Sequence, residues 1–186
     1  MRITPTAIPD VLLVEPAVHR DDRGFFLESY HAERYREQGI TETFVQDNHS
    51  RSVVGTLRGL HAQRLQPQAK LVRVIQGSIF DVAVDVRRGS PTFLKWIGLE
   101  LSADNARQLY VPVGFVHGFS VVTETAEVEY KCSTPYAPGD EFGIAWNDPD
   151  IGVVWNVGAP LLSPKDAKLP RVSEVYDQLP LWQPRR

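Results

Sequence analysis

Hydrophobic residues along this chain recur in short bursts, most of them at every second position, with turn-forming residues between the bursts. The clearest burst is Ser78 to Val86, where Phe80, Val82, Val84 and Val86 share one face of an extended strand opposite Asp81 and Asp85. Lys70 to Ile75 precedes it across Gly77, and the two segments read as a hairpin of alternating, β-branched residues. Ile8 to Pro16 is a short apolar run between prolines, which predicts a strand at a sheet edge, where a missing N–H costs least. A charged turn, His19 to Gly24, leads into Phe25 to Tyr30, whose alternation puts Phe26, Glu28 and Tyr30 on one face. Further strands are expected over Pro91 to Leu101, Arg107 to Pro112, Ala126 to Cys132 and Glu141 to Trp146. Ser102-Ala103-Asp104-Asn105 reads as a turn, and Val111 to Phe119 as a tight turn entering another strand. Helix formers cluster once in the first two-thirds of the chain, from His31 to Gln38, with Gly39 as the stop. The tail from Leu161, with prolines at 164, 170, 180 and 184, predicts extended and short-helical packing.

At least eight short strands with frequent turn signals favour an all-β sandwich or barrel of the jelly-roll kind, with a few short helices. The chain has 186 residues, the size of one domain, and shows no repeat or low-complexity segment, so one unit over 1–186 is expected. A net charge of -3 argues against a surface that attracts nucleic acid or anionic membrane, while leaving room for a small basic pocket. The single cysteine, Cys132, has no internal disulfide partner, and the N-terminus lacks the pattern of a signal peptide. No apolar run approaches the roughly 20 residues that span a bilayer, and the cytoplasm is the expected compartment.

Chemistry concentrates in Gly55 to Gln63, where Arg58, His61 and Gln63 place a cation, a titratable ring and an amide within six residues. The glycines at 55 and 59 allow close backbone approach, and Leu57 and Leu60 can pack inward, so this is a strand rather than an exposed loop. His61 and Gln63 share a face at period two, and that face would look into whatever the sheet encloses. Phe44 to Ser52 starts as a strand and becomes densely polar, which suits a pocket wall or a solvated loop better than a core. Gly55 to His61 matches the start of the first cupin signature, and Pro112-Val113-Gly114-Phe115-Val116-His117 the heart of the second. Metal-binding cupins carry a second histidine where this chain has Gln63 and a glutamate nearby. His61 and His117 alone are too few for a stable transition-metal site, so a cupin barrel without metal is expected.

A longer series of landmarks resembles the dTDP-4-dehydrorhamnose 3,5-epimerase family. They are Asp22-Arg23-Gly24-Phe25-Phe26 with Glu28, Phe44 to Ser50, Leu57-Arg58-Gly59-Leu60-His61, Asp81 to Arg87, Ser90-Pro91-Thr92, Gly114 to Phe119, Trp146-Asn147-Asp148 and Ser163-Pro164-Lys165-Asp166. The resemblance implies a cofactor-free inversion of carbons 3 and 5 of a dTDP-4-keto-6-deoxysugar. It makes His61 the base, Asp166 the carboxylate that orients it, Tyr130 the proton donor and Lys70 the cation near the keto oxygen. It places Arg23, Arg58 and His117 at the diphosphate, and Gln46, Asn48 and Glu28 in hydrogen bonds to nucleotide or sugar. Phe26 and Tyr136 pack against rings, and Glu141 and Lys165 fall on further binding positions. The same resemblance implies a homodimer in which Arg23 and Phe26 serve the neighbour's site.

These residue types suit the reaction. A proton beside a ketone leaves as the charge spreads onto the carbonyl oxygen, so a site needs a base, an acid on the opposite face and a cation at that oxygen. Imidazole accepts a proton near neutral pH, and a phenol keeps its own. Ala62, where the family usually has an aromatic residue, and Val116, where alanine is common, adjoin the site and bear on substrate fit. Two alternatives stand beside the double epimerase: a 3- or 5-epimerase acting at one carbon, and a non-catalytic nucleotide-sugar-binding cupin.

Overall fold

The structure, a computed structural model, describes residues 1–184. In chain order the strands are β1 (Arg2–Pro5), β2 (Leu12–Glu15), β3 (Val18–Asp21), β4 (Gly24–Leu27), β5 (Gln46–Val53), β6 (Leu57–Gln63) and β7 (Lys70–Gln76). They continue as β8 (Ser78–Asp85), β9 (Trp96–Ser102), β10 (Gln108–Val111), β11 (Phe115–Val121), β12 (Thr125–Cys132) and β13 (Glu141–Gly143). Two short α-helices, α1 (Ala32–Glu37) and α2 (Val172–Val175), and the 3-10 turns Asp166–Lys168 and Tyr176–Gln178 complete the inventory. Helix α1 falls where helix formers cluster, and Gly39 stops it at φ +100°, a left-handed backbone that favours glycine. Among the described residues, no helix is long and apolar enough to cross a membrane.

The strands build a six-stranded sheet in the order β1-β2-β10-β7-β12-β5 and a five-stranded sheet in the order β13-β6-β11-β8-β9, all paired antiparallel. This is the jelly-roll arrangement that the strand spacing favoured. The main core lies between the sheets, where Val72, Val74, Leu109 and Val128 meet Ile79, Ala83, Leu101 and Phe119. The outer face of the five-stranded sheet is covered as well. There Leu60, Val82, Val84 and Val116 pack against Ile144, Ile151, Val172 and Leu179 from the C-terminal third. Strand β8 is therefore buried on both faces, and Asp81 and Asp85 are fully buried opposite the valines.

Four expectations need correction. Lys70–Gln76 and Ser78–Asp85 do not form a hairpin: β7 pairs with β10 and β12, while β8 pairs with β11 and β9. Only Gly77 separates them, one residue short of the tightest common hairpin loop, and the chain crosses from one sheet to the other. Gly77 sits at φ +75°, and a Cβ there would run into the Thr125 carbonyl. Alternation fixed the faces of both strands but carried no information about their partners. The edge assigned to Ile8–Pro16 belongs to β1; Thr6 to Val11 is a turn, and Leu12–Glu15 lies second from the edge. Prolines 9 and 16 flank that strand without entering it.

The strand expected from Pro91 begins only at Trp96, because the preceding residues wrap the buried Asp85. Its carboxylate accepts from Arg87 Nε at 2.8 Å, Ser90 Oγ at 2.6 Å and Thr92 Oγ1 at 2.7 Å. Burial pushes that carboxyl up, but these hydrogen bonds outweigh it and hold it below the usual value. Two of the sequence landmarks, Asp85-Val86-Arg87 and Ser90-Pro91-Thr92, are thus one structural knot. Strand β13 ends at Gly143 rather than Trp146, after which Asp148 ties down the tail by accepting from the Val172 N–H at 2.6 Å.

Candidate active site

Strands β6 and β11 run side by side with His61 directly opposite His117. Their closeness depends on two glycines, since a Cβ at Gly59 would sit 2.6 Å from the Gly118 Cα, and one at Gly118 would sit 2.6 Å from the Arg58 carbonyl. Both histidines face a cavity of about 760 Å³, which adjoins a smaller one of about 230 Å³. His61, Lys70 and Tyr130 line both.

His61 is held from two sides. Its Nε2 lies 2.6 Å from Asp166 Oδ1, while Glu141 Oε1 stands 3.6 Å from Nδ1. An ionised carboxylate can only accept, so Nε2 carries a hydrogen toward Asp166, and in the neutral tautomer that leaves the lone pair on Nδ1. Asp166 starts a 3-10 turn in the tail, is 4% exposed, and donates its N–H to Ser163 Oγ. Burial pushes its carboxyl up, but hydrogen bonds from His61, Ser163 and the Gly59 backbone bring it below the usual carboxylate value. Asp166 is therefore ionised at neutral pH and available to stabilise an imidazolium.

The facing sheet supplies the other polar groups. Tyr130 and Cys132 point inward from β12, where Tyr130 is opposite Asn48 on β5 and Cys132 opposite Lys70 on β7. The Lys70 ammonium sits 5.8 Å from the centre of the Tyr130 ring. Burial lowers the Lys70 pKa, against an upward pull from Cys132, Glu141 and Asp81. Burial raises that of Tyr130, so its phenol keeps its proton at neutral pH. Arg58 lines the larger cavity and donates from Nε to Ser52 Oγ at 3.0 Å. His117 Nε2 is 2.7 Å from Asp81 Oδ1, and the other Asp81 oxygen is buried without a hydrogen-bond partner.

At the smaller cavity, Gln46 donates to Asn48 at 3.0 Å and Asn48 to the Cys132 sulfur at 3.5 Å. Glu141 meets both the Lys165 ammonium and the Tyr136 hydroxyl, the latter at 3.3 Å. Of the fourteen residues singled out in the sequence, eleven line these two cavities: His61, Tyr130, Asp166, Lys70, Gln46, Asn48, Arg58, His117, Tyr136, Glu141 and Lys165. The other three do not. Arg23 is spent on Asp21 at 2.6 Å, Phe26 is 70% exposed, and Glu28 pairs with Arg34 at 3.0 Å. Arg23 and Phe26 sit on the β3–β4 ribbon, which pairs with neither large sheet.

Sequence reasoning offered Phe44 to Ser52 as a pocket wall without singling out Ser50 and Ser52, and it missed Ser163 as a lining residue and Asp81 as the partner of His117. A signal for the first two existed, because Gln46, Asn48, Ser50 and Ser52 recur at period two on β5. Among the described residues, no group of three or more His, Cys, Asp and Glu side chains is placed to hold a metal ion.

Comparison with known proteins bears directly on this arrangement. The family profile described as dTDP-4-dehydrorhamnose 3,5-epimerase matches residues 5–174. A Pseudomonas aeruginosa dTDP-4-dehydrorhamnose 3,5-epimerase is 56% identical over 168 residues, covering 89% of this chain and 93% of the relative. The crystal structure of the Legionella pneumophila dTDP-6-deoxy-D-glucose-3,5-epimerase, in complex with dTDP-4-keto-L-rhamnose, superposes with a TM-score of 0.96 at 48% identity, over 98% of this chain and 99% of that one. A Streptomyces niveus dTDP-4-dehydrorhamnose 3-epimerase is more distant, 38% identical over 95% of this chain and 86% of its own length. A profile match over nearly the whole length, relatives above half identity and a near-coincident fold agree: the chain belongs to the dTDP-4-dehydrorhamnose 3,5-epimerase family.

Proposed function

We propose that His61, Asp166, Tyr130 and Lys70 are the machinery with which this chain, an isomerase of the carbohydrate epimerase class, inverts carbons 3 and 5 of dTDP-4-dehydro-6-deoxy-D-glucose. The product, dTDP-4-dehydro-L-rhamnose, places the enzyme in dTDP-L-rhamnose biosynthesis. The observation that carries the residue roles is the 2.6 Å contact between His61 and Asp166, made on the wall of a cavity whose facing sheet presents Tyr130 and Lys70. His61 Nδ1 takes the proton from the carbon beside the ketone, and the bond's electrons move onto the carbonyl oxygen. Lys70 stabilises that enolate oxygen, and Tyr130 returns a proton to the opposite face. One proton leaves and one arrives at each carbon, so no oxidant or reductant enters the balance. Asp166 keeps the imidazole in one tautomer through both steps.

Arg58 and His117 meet the diphosphate, for which a guanidinium fork is suited. Gln46 and Asn48 hydrogen-bond nucleotide or sugar, Tyr136 packs against a ring, and Glu141 and Lys165 complete the binding wall. Arg23 and Phe26 act in a homodimer, where the β3–β4 ribbon of one subunit reaches the cavity of the other, and Glu28, just beyond that ribbon, hydrogen-bonds nucleotide or sugar. Phe25 and Phe26, exposed at 64% and 70% on opposite faces of that ribbon, give each face an apolar side chain to bury. The chain works as one unit, in the cytoplasm, without metal, cofactor, nucleic acid or membrane.

The test is proton NMR of the keto sugar nucleotide incubated with chelator-treated protein in deuterated water, followed by a reductase and NADPH to trap the product. Deuterium at both carbons with dTDP-L-rhamnose formed is the expected result. Label at one carbon selects a single epimerase, and binding without label rejects catalysis.

A further inference from the structure

We infer that Gln63 is a positioning residue, which clamps the segment 134–140 against the barrel and so sets where Tyr136 and Glu141 stand relative to His61. Gln63 follows His61 by two residues on β6 and is 4% exposed at the smaller cavity, and its hydrogen bonds go to backbone. Its Oε1 accepts the Ala137 N–H at 2.9 Å, and its Nε2 donates to the carbonyls of Gln66 at 2.7 Å and Pro135 at 3.3 Å. From the opposite sheet, Gln46 Oε1 accepts the neighbouring Tyr136 N–H at 2.8 Å. Two consecutive amides of one loop are thus captured by side-chain amides from the two different sheets.

The loop has no regular secondary structure of its own to hold it. Beyond the two glutamines, it is tied to residues 64–68 by Asp140, whose carboxylate accepts from Leu65 and Gln66 at 2.7 Å each, and by Thr134, whose carbonyl accepts from Gln68 Nε2 at 2.7 Å and whose hydroxyl reaches the Gln66 and Pro67 carbonyls. It ends at Glu141, which lies directly opposite Gln63 in the β13–β6 pairing and 3.6 Å from His61 Nδ1. Tyr136, its aromatic member, reaches the same carboxylate at 3.3 Å. Without Gln63, the Gln66 and Pro135 carbonyls and the Ala137 amide lose this partner, and the wall beside the base is free to move. The diphosphate groups, Arg58 and His117, contact none of these atoms, so the loss should fall on chemistry more than on nucleotide affinity. This role rests on Tyr136 and Glu141 belonging to the binding wall, as proposed above, and places the sugar rather than the diphosphate against them.

Gln63→Glu keeps the shape but turns both donors into acceptors facing two carbonyls, and Gln63→Met keeps the length without any polar atom. For each, kcat for deuterium exchange should fall by about tenfold to a hundredfold, with the dTDP dissociation constant within about threefold. Combined with Tyr136→Phe, the loss should be smaller than the product of the two single losses, because both act through one loop. Strictly multiplicative losses, or unchanged kcat, would overturn the positioning role. Should either variant fail to fold, amide hydrogen exchange on the unaltered protein decides the matter. The Tyr136 and Ala137 amides should be protected although Tyr136 is 52% exposed, and exchange at the free-peptide rate would refute the clamp. That measurement needs no turnover, so it stands even where the unaltered protein incorporates no label and the catalytic roles fail.

Discussion

Two histidine–aspartate pairs lie side by side on neighbouring strands, and they are built to different ends. His117 and Asp81 sit on adjacent strands of one sheet, His117 at 7% exposure and Asp81 at none, with one carboxylate oxygen left without a hydrogen bond. Such a pair is fixed by the sheet itself, since both residues belong to paired strands. His61 draws its carboxylate from a tail segment 105 residues away, and its side chain keeps 24% exposure into the cavity. Its second nitrogen meets Glu141 rather than a wall. The same two residue types thus suit a binding post in one place and, in the roles proposed above, a proton-transfer group in the other. What separates them is which nitrogen remains reachable and how the resulting charge is met.

The widest separation between the pairs should come from His61→Asn. Exchange at both carbons should fall by at least about 10³-fold, the range of a general base, while dTDP binding measured by titration calorimetry stays within about threefold. Retention of exchange would remove His61 from the role of base. Asp166→Asn should cost about 10²-fold in kcat, because the amide no longer fixes the tautomer or stabilises the imidazolium. An equal rise in KM with kcat intact would make Asp166 a binding residue instead. Asp81→Asn should show the opposite pattern: dTDP affinity weaker by about tenfold, kcat within about twofold, and stability lower by about 1–2 kcal/mol in denaturant titration. A large kcat loss there would erase the distinction.

The smallest effect should be in acid. Asp166 has its folded pKa held below the unfolded value, so it adds stability above about pH 4 that is lost as pH falls through the folded value. Asp166→Asn should therefore flatten the acid limb of a stability-versus-pH curve. An unchanged limb would show that this carboxylate is not ionised and bound as described.

The contrast between the pairs also marks what the sequence could disclose. Period-two patterning gave most of the strands, and the density of polar residues marked Phe44 to Ser52 and the stretch around His61. It could not say that Asp81 would meet His117, because that contact depends on β8 lying beside β11 rather than pairing with β7. Asp166 looks like any surface acid in composition, and only the resemblance of Ser163-Pro164-Lys165-Asp166 to its family brought it to His61. The same resemblance marked Arg23, Phe26 and Glu28, which this chain's own cavity does not include; their local sequence shows a turn and an alternating strand and carries no sign of a site. Gln63 was visible as a polar residue sharing a face with His61, but its partners are backbone atoms of loops 66 and 135–137, whose course no side-chain pattern encodes.

The tail that brings Asp166 to the barrel is fastened at both ends. Leu161 exchanges backbone hydrogen bonds with Gly55 and Leu57, and Val172 is buried with its N–H on Asp148. Gly158, just before the first fastening, is exposed and has open space around its Cα. A protein so arranged can be dealt with as two pieces. Severed at Gly158, the barrel fragment would keep its histidine and lack the counter-charge, and the tail fragment added back would dock through its own contacts and restore proton exchange by complementation. Failure of the mixed fragments to regain exchange would show that continuity of the chain, rather than the contacts, keeps the carboxylate in place.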